Sequence, residues 1–162
     1  MKYSQLKTII DTPANLSKQY KSEVIDLICL GGQVNRHFVV TGIDRATLIG
    51  IVLNNEKIIC SVSLKVPVES YLKGVFKKAG VSVSANEYPF ELGYIITHPD
   101  FERRGLCQTL LNEFMPRVAG NAIFATSRKP SMIHILGKHG FNKIGNTYDT
   151  DLNLLIRKPT NP

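Results

Sequence analysis

At 162 residues, with 43% apolar residues and no apolar run near the ~18–20 residues of a membrane span, the chain fits one soluble globular domain with a real core. Lys2, Ser4, Gln5 and Lys7 interrupt the start, so nothing there resembles a secretion signal and a cytoplasmic protein is expected. Lys and Arg total 20 against 13 Asp and Glu, a net +7 that draws anionic partners but also serves ordinary solubility.

Residues 1–15 carry no clear periodicity, and Thr12-Pro13 reads as a turn. Leu16 to Leu30 reads as a helix with Val24, Ile25, Leu27 and Ile28 on its apolar side, stopped by Gly31-Gly32. Residues 36–40 read as a short strand. Leu48–Leu53 and Lys57–Val66 are strands rich in Ile and Val. Asn54-Asn55-Glu56 joins them, because Asn tolerates the positive φ of a tight turn. After Pro67, Val68–Ala79 reads as a helix carrying Tyr71, Leu72, Val75 and Phe76, closed by Gly80. Residues 88–97 form a central strand. Leu106, Leu110, Leu111, Phe114 and Val118 then recur at helical spacing, with Pro116 ending or kinking the helix. Asn121–Ser127 is a strand and Ser131–Lys138 a short helix stopped by Gly140. Phe141–Ile144 and Asp151–Ile156 finish as strands. The order predicts an α/β (α+β) mixed sheet in a single domain over 1–157, with a flexible tail at 158–162.

Cys29, Cys60 and Cys107 are odd in number, lie among apolar residues and lack metal-like spacing. Buried free thiols are expected, and no metal. His37 and His98 share no metal-site spacing. No Gly-x-Ser-x-Gly elbow and no Walker loop is present. The charges are dispersed, with Lys77-Lys78, Arg103-Arg104 and Arg128-Lys129 the main pairs, and no long basic run appears.

The most informative segment joins the central strand to the following helix: Thr97-His98-Pro99-Asp100-Phe101-Glu102-Arg103-Arg104-Gly105-Leu106-Cys107. A helix start presents unpaired N–H groups and the positive end of a dipole. Arg103 and Arg104 add two cations, so a phosphate-bearing ligand is the natural candidate. Glu91 is embedded in the strand. Alternation puts Phe90, Leu92, Tyr94 and Ile96 on one face and Glu91, Gly93, Ile95 and Thr97 on the other. A mid-strand carboxylate is seldom buried without a partner. Raised in pKa by partial burial it is a general base; salt-bridged to a Lys or Arg it is structural. Both readings stand.

The segment resembles the signature of the GNAT superfamily, the acyl-CoA-dependent N-acyltransferases. Their pyrophosphate loop reads Gln/Arg-x-x-Gly-x-Gly/Ala, and here the frame is Glu102-Arg103-Arg104-Gly105-Leu106-Cys107. Glu102 departs from it, and Cys107 is a small replacement. The resemblance covers roughly residues 45–157. It implies a sheet whose central strands, 90–97 and 121–127, splay apart to admit the pantetheine arm of acetyl-CoA. Backbone groups at Ile95, Ile96 and Thr97 would pair with that arm. Arg103, Arg104, Gly105, Leu106, Cys107 and Gln108 would hold the diphosphate. Glu91 falls at the distance before the loop Gly where several members keep a general base.

The second half of the signature matches less well. Lys138-His139-Gly140-Phe141 fits the family's Lys-x-Gly-Phe-like end. The usual Tyr that protonates the departing thiolate falls on Leu136, and the usual Asn falls near Lys129, carried over as a cofactor contact. Tyr148, His139, Ser127 or water are the replacements for the acid, with Tyr148 the residue chosen. The implied function is N-acetyl transfer from acetyl-CoA to a primary amine by direct attack in a ternary complex. The alternatives are a nucleic-acid-directed relative, such as an aminoacyl-tRNA acetylating toxin or a DNA-base modifier, and an inactive ligand-binding module. The net charge is the only hint of nucleic acid. The acceptor amine is not readable, and the family resemblance allows a monomer or a homodimer.

Overall fold

The computed structural model describes residues 5–32 and 34–160. Among these the elements run β1 (Leu6–Asp11), α1 (Lys18–Leu30), α2 (Arg36–Arg45), β2 (Leu48–Asn54), β3 (Lys57–Lys65), α3 (Glu69–Ala79), β4 (Phe90–Thr97), α4 (Leu106–Phe114), β5 (Ile123–Ser127), α5 (Pro130–Gly137), β6 (Asn142–Tyr148) and β7 (Leu152–Arg157). The strands follow the order β1-β2-β3-β4-β5-β7-β6, the mixed α/β sheet that the element order predicts. Two compact units divide the chain. The first comprises residues up to Lys65 with Tyr94–Phe114, and the second Val66–Gly93 with the residues from Met115 on.

In the first unit β1, β2 and β3 form an antiparallel meander. The β2–β3 turn places Asn55 (φ 50°) and Glu56 (φ 67°) in the left-handed region, as a two-residue hairpin requires. Alternation sends Ile49, Ile51 and Leu53 into a core with Val24, Leu27, Val39 and Ile43 from α1 and α2. α4 packs on the other face, at Gly50. A Cβ on Gly50 would stand 2.9 Å from Phe114 and 3.1 Å from Leu110, so only glycine admits the helix this closely.

The strand expected at 36–40 is instead the start of α2. Val39 and Val40 favour a strand locally, but Asn35 caps the helix by accepting from the His37 amide at 2.9 Å. Val39 and Ile43, four residues apart, are both buried. Burial of that stripe overrides the local preference.

The alternation expected along β4 also breaks. Tyr94 has φ 48°, and its carbonyl accepts from Ser61 Oγ at 3.3 Å. Tyr94 and Ile96 pack on the α1–α2 core, under Lys65 Nζ, which lies 4.2 Å from the Tyr94 ring centroid.

In the second unit α3 covers a core of Phe124, Leu154 and Ile156. Phe76 stacks on Tyr88 at 6.0 Å between centroids and meets Phe124 edge-on at 5.6 Å. β5 pairs antiparallel with β7, and β7 with β6. The parallel β4–β5 ladder carries two pairs only, Phe90 with Ile123 and Glu91 with Phe124. The pairing of β4 with β5 ends at Glu91 and Phe124. Pro116 acts as expected: α4 ends at Phe114, and Met115–Val118 tighten into a 3-10 turn. Thr160, in the expected tail, donates its amide to the Ala119 carbonyl at 2.8 Å, while residues 161–162 lie outside the described residues.

Candidate functional site

The loop of the first unit follows directly from β4. The His98 amide donates to the Ile59 carbonyl at 2.8 Å, anchoring the strand end. His98 Nδ1 then accepts from the Asp100 amide at 3.1 Å and starts a 3-10 turn over Pro99–Phe101. Arg103 (φ 63°) and Gly105 (φ 73°) are both left-handed, the conformation that turns successive amides toward one side. The first intrahelical bond of α4 runs from the Thr109 amide to the Gly105 carbonyl at 3.0 Å. The amides of Leu106, Cys107 and Gln108 thus precede the helical ladder and are available to an anion. No atom lies within 4 Å of a Cβ built on Gly105, so the backbone there is open to close approach.

Arg103 and Arg104 are exposed, with the Arg104 guanidinium 5.2 Å from the Phe101 ring centroid. Glu102 is also exposed, which leaves its carboxylate in solvent. Cys107 is partly buried, and burial, then nearby Cys60, pushes its thiol up to about 12. It stays a neutral packing residue at neutral pH. Ile95, Ile96 and Thr97 are half-buried on β4, beyond the two-pair ladder with β5. Thr97 Oγ1 lies 3.5 Å from Cys60 Sγ.

The second unit holds the acid–base candidates. Glu91 is 4% exposed, and a buried carboxylate calls for hydrogen-bond donors. α3 supplies one: Tyr71 donates its hydroxyl to Glu91 Oε2 at 2.9 Å. The Tyr71 residue as a whole is 42% exposed, because the ring flank faces solvent while the hydroxyl points inward to Glu91. Burial, followed by the Glu91 charge and hydrogen bond, raises the Tyr71 pKa strongly; a hydrogen bond with Thr126 opposes this. Tyr148, at the end of β6, is pushed up to about 12 by burial, then by Asp149 and Glu91, with Arg128 opposing. Glu91, Tyr71, Thr126 and Tyr148 therefore form one electrostatic cluster.

Glu91 and Tyr148, the two expected catalytic residues, both lie in the second unit, and the Glu91 charge is among the lesser causes that raise the Tyr148 pKa. Sequence reasoning placed Tyr71 on the helix at 68–79, and its bond to Glu91 spans 20 residues with no local pattern to announce it. Lys129 precedes α5, exposed, with its amide donating to Ser127 Oγ at 3.1 Å. Leu136, at the usual place of the acid, is 1% exposed and belongs to the core. Among the described residues no group of three or more His, Cys, Asp or Glu is placed to hold a metal ion. No helix among them is long and apolar enough to cross a membrane.

No protein-family model and no curated protein matches the chain. Solved structures do match it along nearly its whole length. A GNAT-family acetyltransferase from Streptococcus agalactiae 2603 superposes with TM-score 0.69 at 15% identity, covering 95% of this chain and 96% of that one. The fold is that of the acyl-CoA N-acyltransferases. An acyl-CoA N-acyltransferase from Pseudomonas aeruginosa gives TM-score 0.68 at 11% identity, over 94% of this chain and 99% of that one. The ribosomal-protein-S18-alanine N-acetyltransferase of Escherichia coli gives 0.65 at 13%, over 96% of both. At such identities the N-acyltransferase fold is shared while nearly all side chains differ, so the reaction has to be argued from the site.

Proposed function

We propose that the chain transfers an acetyl group from acetyl-CoA to a primary amine. The observation that carries this reading is the buried Glu91 carboxylate, held by the Tyr71 hydroxyl, within an N-acyltransferase fold. In this reading the amides and cations of 103–108 bind the diphosphate, with Arg103, Arg104, Gly105, Leu106, Cys107 and Gln108 contributing. The backbone of Ile95, Ile96 and Thr97 pairs with the amides of the pantetheine arm, and Lys129 meets the cofactor at the start of α5.

Glu91 accepts the proton that the acceptor ammonium must lose before its nitrogen attacks the thioester carbonyl. The C–N bond forms, the tetrahedral intermediate collapses, and the C–S bond breaks. The departing thiolate takes a proton from Tyr148, whose high pKa keeps it protonated at neutral pH. Leu136, buried in the core, offers no proton for this step, and Tyr148 takes that role in this reading.

Leu136 also favours a second reading, a module that binds acyl-CoA without turning it over. Isothermal titration with acetyl-CoA, followed by an acceptor screen that detects released thiol, separates the two. Binding with thiol release supports the transferase. Binding without release across the amine panel supports the module, and absence of binding overturns both.

A further inference from the structure

Arg157 ends β7 with only 5% of its surface exposed. A guanidinium carries five N–H donors. Nη1 donates to the Val118 carbonyl at 3.5 Å and Nη2 to Thr160 Oγ1 at 3.1 Å. Both acceptors are neutral. Nε is buried without a hydrogen-bond partner, and among the described residues no carboxylate pairs with the guanidinium. A buried cation without a counter-charge is costly, and burial lowers the Arg157 pKa.

The same side chain lines a cavity of about 460 Å³ together with Lys158, Asn142, Thr160, Ile144 and Ile156. Among the described residues two cations and no acid line it, and its volume suits a small molecule. Nearby, His139 Nε2 is also buried and unpartnered. All of these residues belong to the second unit. None of them is part of the Glu91 cluster or the 98–108 loop.

We propose that this cavity binds a small organic oxyanion, its carboxylate or phosphate head beside the Arg157 guanidinium and Lys158 and its apolar body against Ile144 and Ile156. An anion beside the guanidinium supplies a counter-charge that no carboxylate among the described residues provides. The two isoleucines favour an organic ligand over a bare ion. The anion also acts on His139. Burial, then Arg157 and Lys138, hold that imidazole below its usual pKa, and a bound anion offsets the two cations.

The test uses the whole chain labelled with 15N-arginine and 15N-histidine. Hexanoate, hexyl phosphate and inorganic phosphate are titrated at ionic strength matched with sodium chloride. The expected result is a saturable shift of the Arg157 Nε–H resonance, assigned by its loss in Arg157→Lys, with the His139 signals moving at the same midpoint. Lys158→Met should weaken binding roughly tenfold, the scale of one charged contact. A response to hexanoate alone identifies a carboxylate head, and a response to hexyl phosphate alone a phosphate head. Stronger binding of the hexyl compounds than of inorganic phosphate supports the apolar body. A wild-type response to every probe no larger than to chloride overturns the site, whether or not either variant folds. A response to inorganic phosphate as strong as to hexyl phosphate overturns the organic ligand.

Discussion

In the first unit the candidate ligand loop consists of exposed cations and left-handed backbone, whereas in the second unit the candidate base is a carboxylate 4% exposed and held by a phenol. The loop presents main-chain amides, so it needs a particular chain path and tolerates varied side chains. The Glu91 cluster depends on a few side-chain atoms brought together from α3, β4 and β6. Substitutions in the loop should therefore act on binding, and substitutions in the cluster on turnover and on folding.

The sharpest break of this contrast is Glu91→Gln, which keeps the shape and removes the basicity. Turnover should fall roughly 10²–10⁴-fold while acetyl-CoA affinity by calorimetry stays nearly constant. The deficit should shrink at high pH, where the amine deprotonates unaided. Normal turnover at neutral pH would make Glu91 structural.

Tyr71→Phe removes the donor to Glu91 Oε2. A hydrogen bond to a charged group contributes about 1.5–3 kcal/mol, so chemical denaturation should show a loss on that scale. An unchanged midpoint would mean that this bond carries no stability.

Gly105→Glu reverses the logic by acting on the loop. The side chain has room but must adopt a positive φ, and it sets a negative charge beside the open amides. Acetyl-CoA binding should weaken by about 1–3 kcal/mol, read by calorimetry on a variant shown to be folded by circular dichroism. Equal affinity would sink the assignment of the diphosphate to 103–108.

The smallest effect concerns alkaline pH. The Tyr148 pKa of about 12 in the folded chain exceeds its ordinary value near 10, so the folded state holds the proton more tightly. Its contribution to stability is complete below pH 10 and is lost as pH rises from 10 to 12. Because the side chain is partly solvated, the change should be on the order of 1 kcal/mol or less. Cys107 and Tyr71, also raised, add to the alkaline loss in the wild type. Tyr148→Phe should make the decline between pH 10 and 12 shallower, and identical slopes would refute the shift.

Much of the fold is legible because its patterns are local. The Ile- and Val-rich hairpin at 48–66, the amphipathic helices at 16–30 and 68–79, and the Gly-containing turn before Leu106 each carry their signal within one short stretch of chain. Hydrophobic spacing and a turn residue suffice there. Arg36–Val40 fails that test, since its β-branched pair imitates a strand and the buried stripe of Val39 and Ile43 forms only against α1 and β2. Tyr94 fails it too: strict alternation has no way to anticipate a left-handed residue in mid-strand.

By itself the sequence determined which residues are candidates: Glu91 in an apolar strand, Arg103 and Arg104 before a helix, and Gly105 directly after them. Only the tertiary structure decided how these candidates are held. It set Tyr71 on Glu91 across 20 residues of chain and left Arg157 buried beside a cavity that no carboxylate among the described residues lines. The reason is physical. Backbone preference and hydrophobic period act over a few residues. Hydrogen-bond partners, burial and the charge a group experiences are set by whatever the fold brings within a few ångströms.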